Sequence, residues 1–154
     1  MKLGLFQMPV TASKAENYET MRRYVRDAAA AGCDLIVLPE MWCCPYSNAA
    51  FAEYAEPQGG DTWRLLCKTA QECGIWLVAG SVPERDGDAI YNTCYVFDQQ
   101  GTQQAKHRKV HLFDIDVAGG QRFFESDTLS PGRQYTLVDT PFGKVGVAIC
   151  FDVR

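Results

Sequence analysis

Residues 34–40 read DLIVLPE. Four aliphatic residues in a row, Leu35 to Leu38, lack both the alternation of a half-solvated strand and the three-to-four spacing of a helix face. A short apolar run closed by proline fits a strand buried on both faces. Pro39 ends it, because proline has no N–H to give to the sheet. Glu40 then stands just past the carboxyl end of that strand.

Working outward, KLGLFQM (2–8) is a second short buried strand. Between the two, Ser13 followed by Glu16 forms a capping-box pattern. Tyr18, Met21, Val25 and Ala28 recur at helical spacing, and Gly32 sits where a helix ends. Strand–helix–strand predicts two parallel neighbours joined by a crossover helix. Downstream, residues 41–60 read as a long loop with a helical piece at 48–54. A second helix spans 61–73 and stops at Gly74, and IWLVAGS (75–81) is another buried strand. PERDGD (83–88) has turn chemistry, and AIYNTCYVFD (89–98) reads as an antiparallel strand after it. DQQG (98–101) turns into a more polar strand at 102–109. Residues 110–132 lack periodicity, as a functional loop would. QYTLVD (134–139) and KVGVAIC (144–150) end the series, joined by TPFG.

The expectation is an α/β fold with a mixed sheet. Its two longer helices cover one sheet face, and nothing in the sequence covers the other. The 154 residues suit a single domain, and the open face suggests a domain continued elsewhere, by a partner or a further segment.

Composition narrows the function. Apolar residues make up 47%, charged residues 22%, and the net charge is -4, as in a soluble globular protein without a nucleic-acid footprint. No run approaches the roughly 18 apolar residues of a membrane span, and the start lacks a signal-peptide pattern. The expectation is a cytoplasmic protein with no membrane partner. The seven cysteines are odd in number and contain no CxxC pair, so most read as buried thiols rather than a disulfide framework. Neither Cys43-Cys44 nor His107 with His111 supplies zinc spacing, so no metal is expected.

Glu40, Lys109 and Cys150 each fall at or near a strand end. Parallel strands bring such ends together where α/β sheets bind ligands. A thiol needs a base or a neighbouring positive charge to attack. A carboxylate in a dry pocket can take the proton, and a lysine ammonium can steady an oxyanion. The N–H of Phe151 is a natural second donor. The set suits attack on an amide or nitrile carbon. Taken singly, each residue also has a plain reading: a solvated loop acid, a surface base, an inert core thiol.

DLIVLPEMW, HRKVHLFDID and GVAICFDVR together resemble the nitrilase, or carbon–nitrogen hydrolase, superfamily, and the resemblance runs from Gly4 to the last residue. It implies a four-layer αββα sandwich, of which residues 1–154 form the N-terminal portion. By that resemblance Glu40 is general base and acid, Lys109 stabilises the tetrahedral intermediate, and Cys150 is the nucleophile that forms a thioester. Glu125 matches a further glutamate that many members carry in the loop between lysine and cysteine. PEMWCCPYSNAAFAEYAE and the 111–132 loop look most like the ω-amidase branch, which hydrolyses small dicarboxylate monoamides to ammonia and the dicarboxylate. The runner-up activities that the resemblance implies are N-carbamoyl amine hydrolysis, deaminated glutathione amidase and nitrile hydrolysis. Tyr46, Arg122 and Arg154 are candidates for substrate binding, the arginines because they recognise carboxylates well. The resemblance implies no cofactor, a small-molecule amide partner and a homo-oligomer. Competing expectations are a truncated, non-catalytic product and a thiol redox protein, the latter without a resolving-cysteine motif.

Overall fold

The computed structural model of the chain describes residues 1–154. Its centre is a six-stranded mixed sheet: β1 (Leu3–Leu5), β2 (Leu35–Val37), β3 (Trp76–Val78), β4 (Val82–Asp86), β5 (Ala89–Phe97) and β6 (Gln103–Arg108). β1, β2 and β3 run parallel in that order. β5 lies antiparallel to β3 and β4, which share one of its edges end to end, while β6 takes the other edge. A bulge interrupts that last pairing: Val96 faces Ala105, but Phe97 faces Gln103.

The helices are α1 (Lys14–Ala30), α2 (Asn48–Tyr54) and α3 (Asp61–Cys73). α1 begins where the sequence places it, with the Ser13 hydroxyl accepting the Glu16 N–H. α3 ends at Gly74, whose left-handed backbone (φ 61°) closes the helix. Met21 and Val25 of α1 and Leu66 and Ala70 of α3 pack with Ile36, Leu77, Tyr95 and Phe97 of the sheet. Each fully buried Leu, Ile or Val contributes about 1.5–3 kcal/mol. An exposed pair such as Arg64–Asp61 adds about 0–1 kcal/mol. Packing therefore holds the helix layer.

Strand residues alternate between faces, so the apolar runs serve both. Leu35, Trp76 and Val96 point away from the helices and pack with Val138. Val138 belongs to a hairpin of β9 (Thr136–Thr140) and β10 (Gly143–Val147), which covers part of that face. Leu3 and Leu5 remain exposed there.

Three segments differ from the sequence expectation. KLGLFQM forms only the three-residue β1, whose Leu3 and Leu5 are exposed rather than buried, because the β9–β10 hairpin covers only part of that face. PERDGD is mostly strand, with only Gly87 and Asp88 turning, because β4 pairs with β5 over Val82 to Asp86. Its acid, Glu84, is buried and neutralised by Arg108 and Lys106, with Thr93 donating a third contact. The 110–132 segment contains a hairpin of β7 (Asp114–Asp116) and β8 (Arg122–Phe124), strands too short to show periodicity.

The turn from β3 to β4 fits tightly against the end of β2. A Cβ on Gly80, at φ +59°, would stand 2.0 Å from the Pro39 carbonyl oxygen. Gly87 has the same φ but open space around it. Gly80→Ala is expected to cost about 2–4 kcal/mol, from strain plus overpacking. Gly87→Ala is expected to cost only about 1–2 kcal/mol. Urea-denaturation midpoints check the difference, and equal costs would show that the close approach does not matter.

Candidate active site

Three elements deliver three charges to one point. Lys109 follows β6, Glu40 follows β2, and Glu125 opens a 3-10 turn directly after β8. Lys109 and Glu125 are fully buried. The Lys109 Nζ lies 2.8 Å from Glu40 Oε1 and 3.0 Å from Glu125 Oε2. Burial alone would lower the Lys109 pKa, but the Glu40 and Glu125 carboxylates outweigh it and hold the ammonium above the ordinary lysine value. An ammonium has three protons. Two are engaged by the carboxylates, which leaves one to offer.

Glu125 is itself held: it accepts from Tyr46 Oη and, at 2.6 Å, from the Phe113 N–H. Burial and that bond to Glu125 push the Tyr46 phenol well above its usual range. Tyr46 therefore braces Glu125 rather than standing free, although its side chain also reaches the surface.

Glu40 is placed by its neighbours. Met41 adopts φ 49°, a strained value for a residue with a side chain. Its N–H donates to Ser81 Oγ at 3.0 Å, Trp42 Nε1 donates to the Ala79 carbonyl, and the Ser81 N–H donates to the Pro39 carbonyl. The fully buried Asn92 donates its Nδ2–H to Glu40 Oε1 at 2.8 Å.

Cys150 has φ 46° and is the exposed member of the seven cysteines, all unpaired. With Glu40 it lines a cavity of about 450 Å³ whose walls are otherwise mainly apolar, including Val37, Val78 and Ile149. Burial and the Glu40 carboxylate push the Cys150 thiol above its usual value, and the Lys109 charge only partly offsets them. Cys150 therefore rests as a thiol, with the Glu40 carboxylate beside it. The Phe151 N–H donates to no carbonyl of the chain and stays free beside the sulfur.

Asp152 ties this turn to the lysine segment. Its Oδ1 accepts from the Val110 and His111 N–H groups, and its Oδ2 from the Ile149 N–H. His107 lies between Asp152 Oδ2 at 2.8 Å and Thr136 Oγ1 at 3.0 Å.

Glu40, Lys109, Glu125, Cys150, Phe151 and Tyr46 thus belong to one neighbourhood. Arg122 does not: it pairs with Asp116, lies over the Phe124 ring and is 63% exposed. Arg154 is exposed and outside the cavity lining. Sequence reading missed Asn92, Ser81 and Asp152. Asn92 carried a signal, since asparagine is depleted in strands and this one stands inside a mostly apolar run, AIYNTCYVF.

The carbon-nitrogen hydrolase family matches residues 2–154. The omega-amidase NIT2 of Danio rerio is 48% identical over 153 residues, covering 99% of this chain and 55% of the relative. The chloroplastic omega-amidase of Arabidopsis thaliana is 45% identical over 157 residues, covering 99% of this chain and 42% of the relative. The chain thus spans about half the length of the curated relatives it matches. Among solved structures, Saccharomyces cerevisiae Nit3, a member of branch 10 of the nitrilase superfamily, superposes with a TM-score of 0.87 at 35% identity, over 99% of this chain and 56% of that one.

Two outcomes are expected. Alkylation of Cys150 by iodoacetamide should rise with pH about a midpoint above that of an ordinary cysteine. A midpoint below it would mean that the Lys109 charge dominates. Burial acts to raise the Asp152 pKa, but His107 and three backbone N–H groups hold it below the usual value. A depressed folded pKa means that the clamp's stability is present above the ordinary carboxylate range and lost as pH falls through the depressed value. Asp152→Asn, lacking the charge, should cost about 1.5–3 kcal/mol at neutral pH, with the loss shrinking in acid. Denaturation midpoints across pH measure it.

Proposed function

We propose a reaction from one premise: the chain belongs to the carbon-nitrogen hydrolase family, matched over residues 2–154, and its polar cluster suits thiol-mediated amide hydrolysis. The observation that carries this reading is the convergence of Glu40 and Cys150 on one cavity, with the Lys109 ammonium held against Glu40. The proposed substrate is a small dicarboxylate monoamide, supported by the 48% and 45% identity to two omega-amidases. The activity is that of the protein in which these residues occur.

The geometry supports a two-step course. Glu40 takes the Cys150 proton as the sulfur attacks the amide carbon. A C–S bond forms, and the carbonyl π electrons move onto oxygen. The Phe151 N–H and the remaining Lys109 proton meet that oxyanion. The oxyanion collapses, the C–N bond breaks, and Glu40 returns the proton to the leaving nitrogen, giving ammonia and a thioester. Water then gives its proton to Glu40 and attacks the thioester carbon. Cys150 leaves with the proton from Glu40, and the dicarboxylate departs. Because the nucleophile rests as a thiol, general-base help from Glu40 belongs in the attacking step; such help is worth about 10²–10⁴-fold in rate. Glu125 acts through Lys109, holding it at the depth where its charge reaches both partners.

The seven unpaired thiols suit a reducing compartment, which supports a cytoplasmic setting. No helix is long and apolar enough to cross a membrane.

The test is ammonia release from a glutarate-type monoamide, with mass spectrometry of the protein after acid quench. An acyl adduct on Cys150 and loss of turnover in Cys150→Ala are expected. Removing the Lys109 donor should slow turnover by about 10²–10³-fold, the scale of a lost oxyanion donor. Turnover in Cys150→Ala would overturn the assignment. Release of carbon dioxide together with ammonia from a carbamoyl amine, and none from the monoamide, would move it to carbamoyl hydrolysis.

A further inference from the structure

The two oxygens of Glu40 are not equivalent. Oε1 accepts from Asn92 Nδ2 and from Lys109 Nζ, each at 2.8 Å. Both of its lone-pair directions are therefore taken. Neither Asn92 nor Lys109 engages Oε2, and the Glu40 side chain, 22% exposed, lines the cavity together with Cys150.

Asn92 cannot trade this contact for another. It is fully buried, and its Oδ1 has no hydrogen-bond partner. A buried orphan acceptor carries a desolvation cost. Flipping the amide would not relieve it, because Oδ1 would then face Glu40 Oε1, acceptor against acceptor. The backbone of Asn92 is fixed as well, since its carbonyl accepts the Lys109 N–H at 2.9 Å. One residue thus grips the lysine through its main chain and the glutamate through its side chain.

We infer that Asn92 is a positioning residue that saturates Glu40 Oε1 and so commits Oε2 to every proton transfer of the reaction. The inference rests on the reading of Glu40 as general base. With Asn92 in place, a proton from Cys150 or from water has one basic oxygen to reach, and the same oxygen returns it. Without Asn92, Oε1 regains an open lone pair on the side away from the sulfur, and the carboxylate is free to turn about its last bond. Asn92 is fully buried and outside the cavity lining, so it makes no contact with a substrate held there. The defect therefore falls on kcat.

The titratable groups that Asn92 contacts are Glu40, through its side chain, and Lys109, through its carbonyl; Glu125 pairs with that lysine, and Cys150 feels the Glu40 charge. This makes Asn92→Asp informative, for it keeps the shape of the side chain. When protonated, the introduced carboxyl still donates to Oε1. When ionised, it does not donate, and it repels Glu40.

The experiment measures kcat and KM from pH 5 to 9 for the wild type, Asn92→Asp, Asn92→Ala and Glu40→Gln. Asn92→Asp should lose about 10–100-fold in kcat at pH 8, within the range for general-base help, with KM nearly unchanged. Its kcat relative to wild type should recover as pH falls. Asn92→Ala should show a comparable loss with no recovery. A constant Asn92→Asp ratio across pH, a loss confined to KM, or full activity in Asn92→Ala overturns the inference. Because the ratio is read within one isosteric variant, poor folding of Asn92→Ala leaves the test decisive. Glu40→Gln separates the two readings: if it keeps turnover, the base assignment fails, whereas an inactive Glu40→Gln beside a flat Asn92→Asp ratio overturns the role of Asn92 alone.

Discussion

A buried ammonium between two carboxylates is the constraint around which this structure is arranged. Lys109 lies out of reach of water, and an isolated charge there would be prohibitively costly. Glu40 and Glu125 remove that cost, but two acids against one base leave a net negative charge. Asn92, Tyr46 and the Phe113 N–H spread it by donating to the carboxylates. These partners come from β5, the 41–47 loop and the segment after Lys109. Removing one partner of such a cluster leaves a charge uncompensated, typically at about 3–5 kcal/mol. Folding the sheet, the long loop and the β7–β8 hairpin into place and assembling the candidate site are therefore the same event.

Strain is concentrated beside that cluster. Met41 and Cys150 are the non-glycine residues with positive φ, one directly after Glu40 and one at the cavity thiol. Each left-handed residue costs about 1–2 kcal/mol. Both are held by side chains acting on the backbone: Ser81 on the Met41 N–H, and Asp152 on the N–H groups of Ile149, Val110 and His111. The tight backbone is stabilised locally, next to where it is used.

Much of this was legible in the sequence, for identifiable reasons. DLIVLPE announced a strand buried on both faces, because its apolar run lacks alternation, and Leu35 and Ile36 do serve opposite layers. Ser13, Gly32 and Gly74 marked helix ends through local backbone chemistry, which needs no tertiary knowledge. Glu40, Lys109 and Cys150 stood out by their positions at strand ends and by family resemblance. β4 stayed hidden because its buried acid looks solvated until Arg108 and Lys106 arrive from β6. The β7–β8 hairpin was too short for any period. Asn92 and Asp152 act across 52 and 42 residues of chain, and no local pattern reports such contacts. Arg122 was chosen for guanidinium chemistry alone, and its place on an exposed hairpin could not be read from that.

The bulge between β5 and β6 bears on how this chain tolerates change. Past it, Lys106 and Arg108 face Glu84, while Ala105 and His107 face the β9–β10 hairpin. Lys109 follows within the same frame. The bulge is a phase correction that sets which of the four successive basic residues, Lys106 to Lys109, is buried in the site. Surface turns normally absorb insertions at little cost. The Asp98–Thr102 turn is of that kind, whereas the bulge just after it fixes the phase of the residues from Ala105 to Lys109. One residue gained between Gln103 and Lys106 and taken into the ladder would exchange the two faces, sending the Arg108 guanidinium toward the carboxylates and leaving Ala105 and His107 opposite Glu84. Indels there should be far rarer among functional descendants than substitutions.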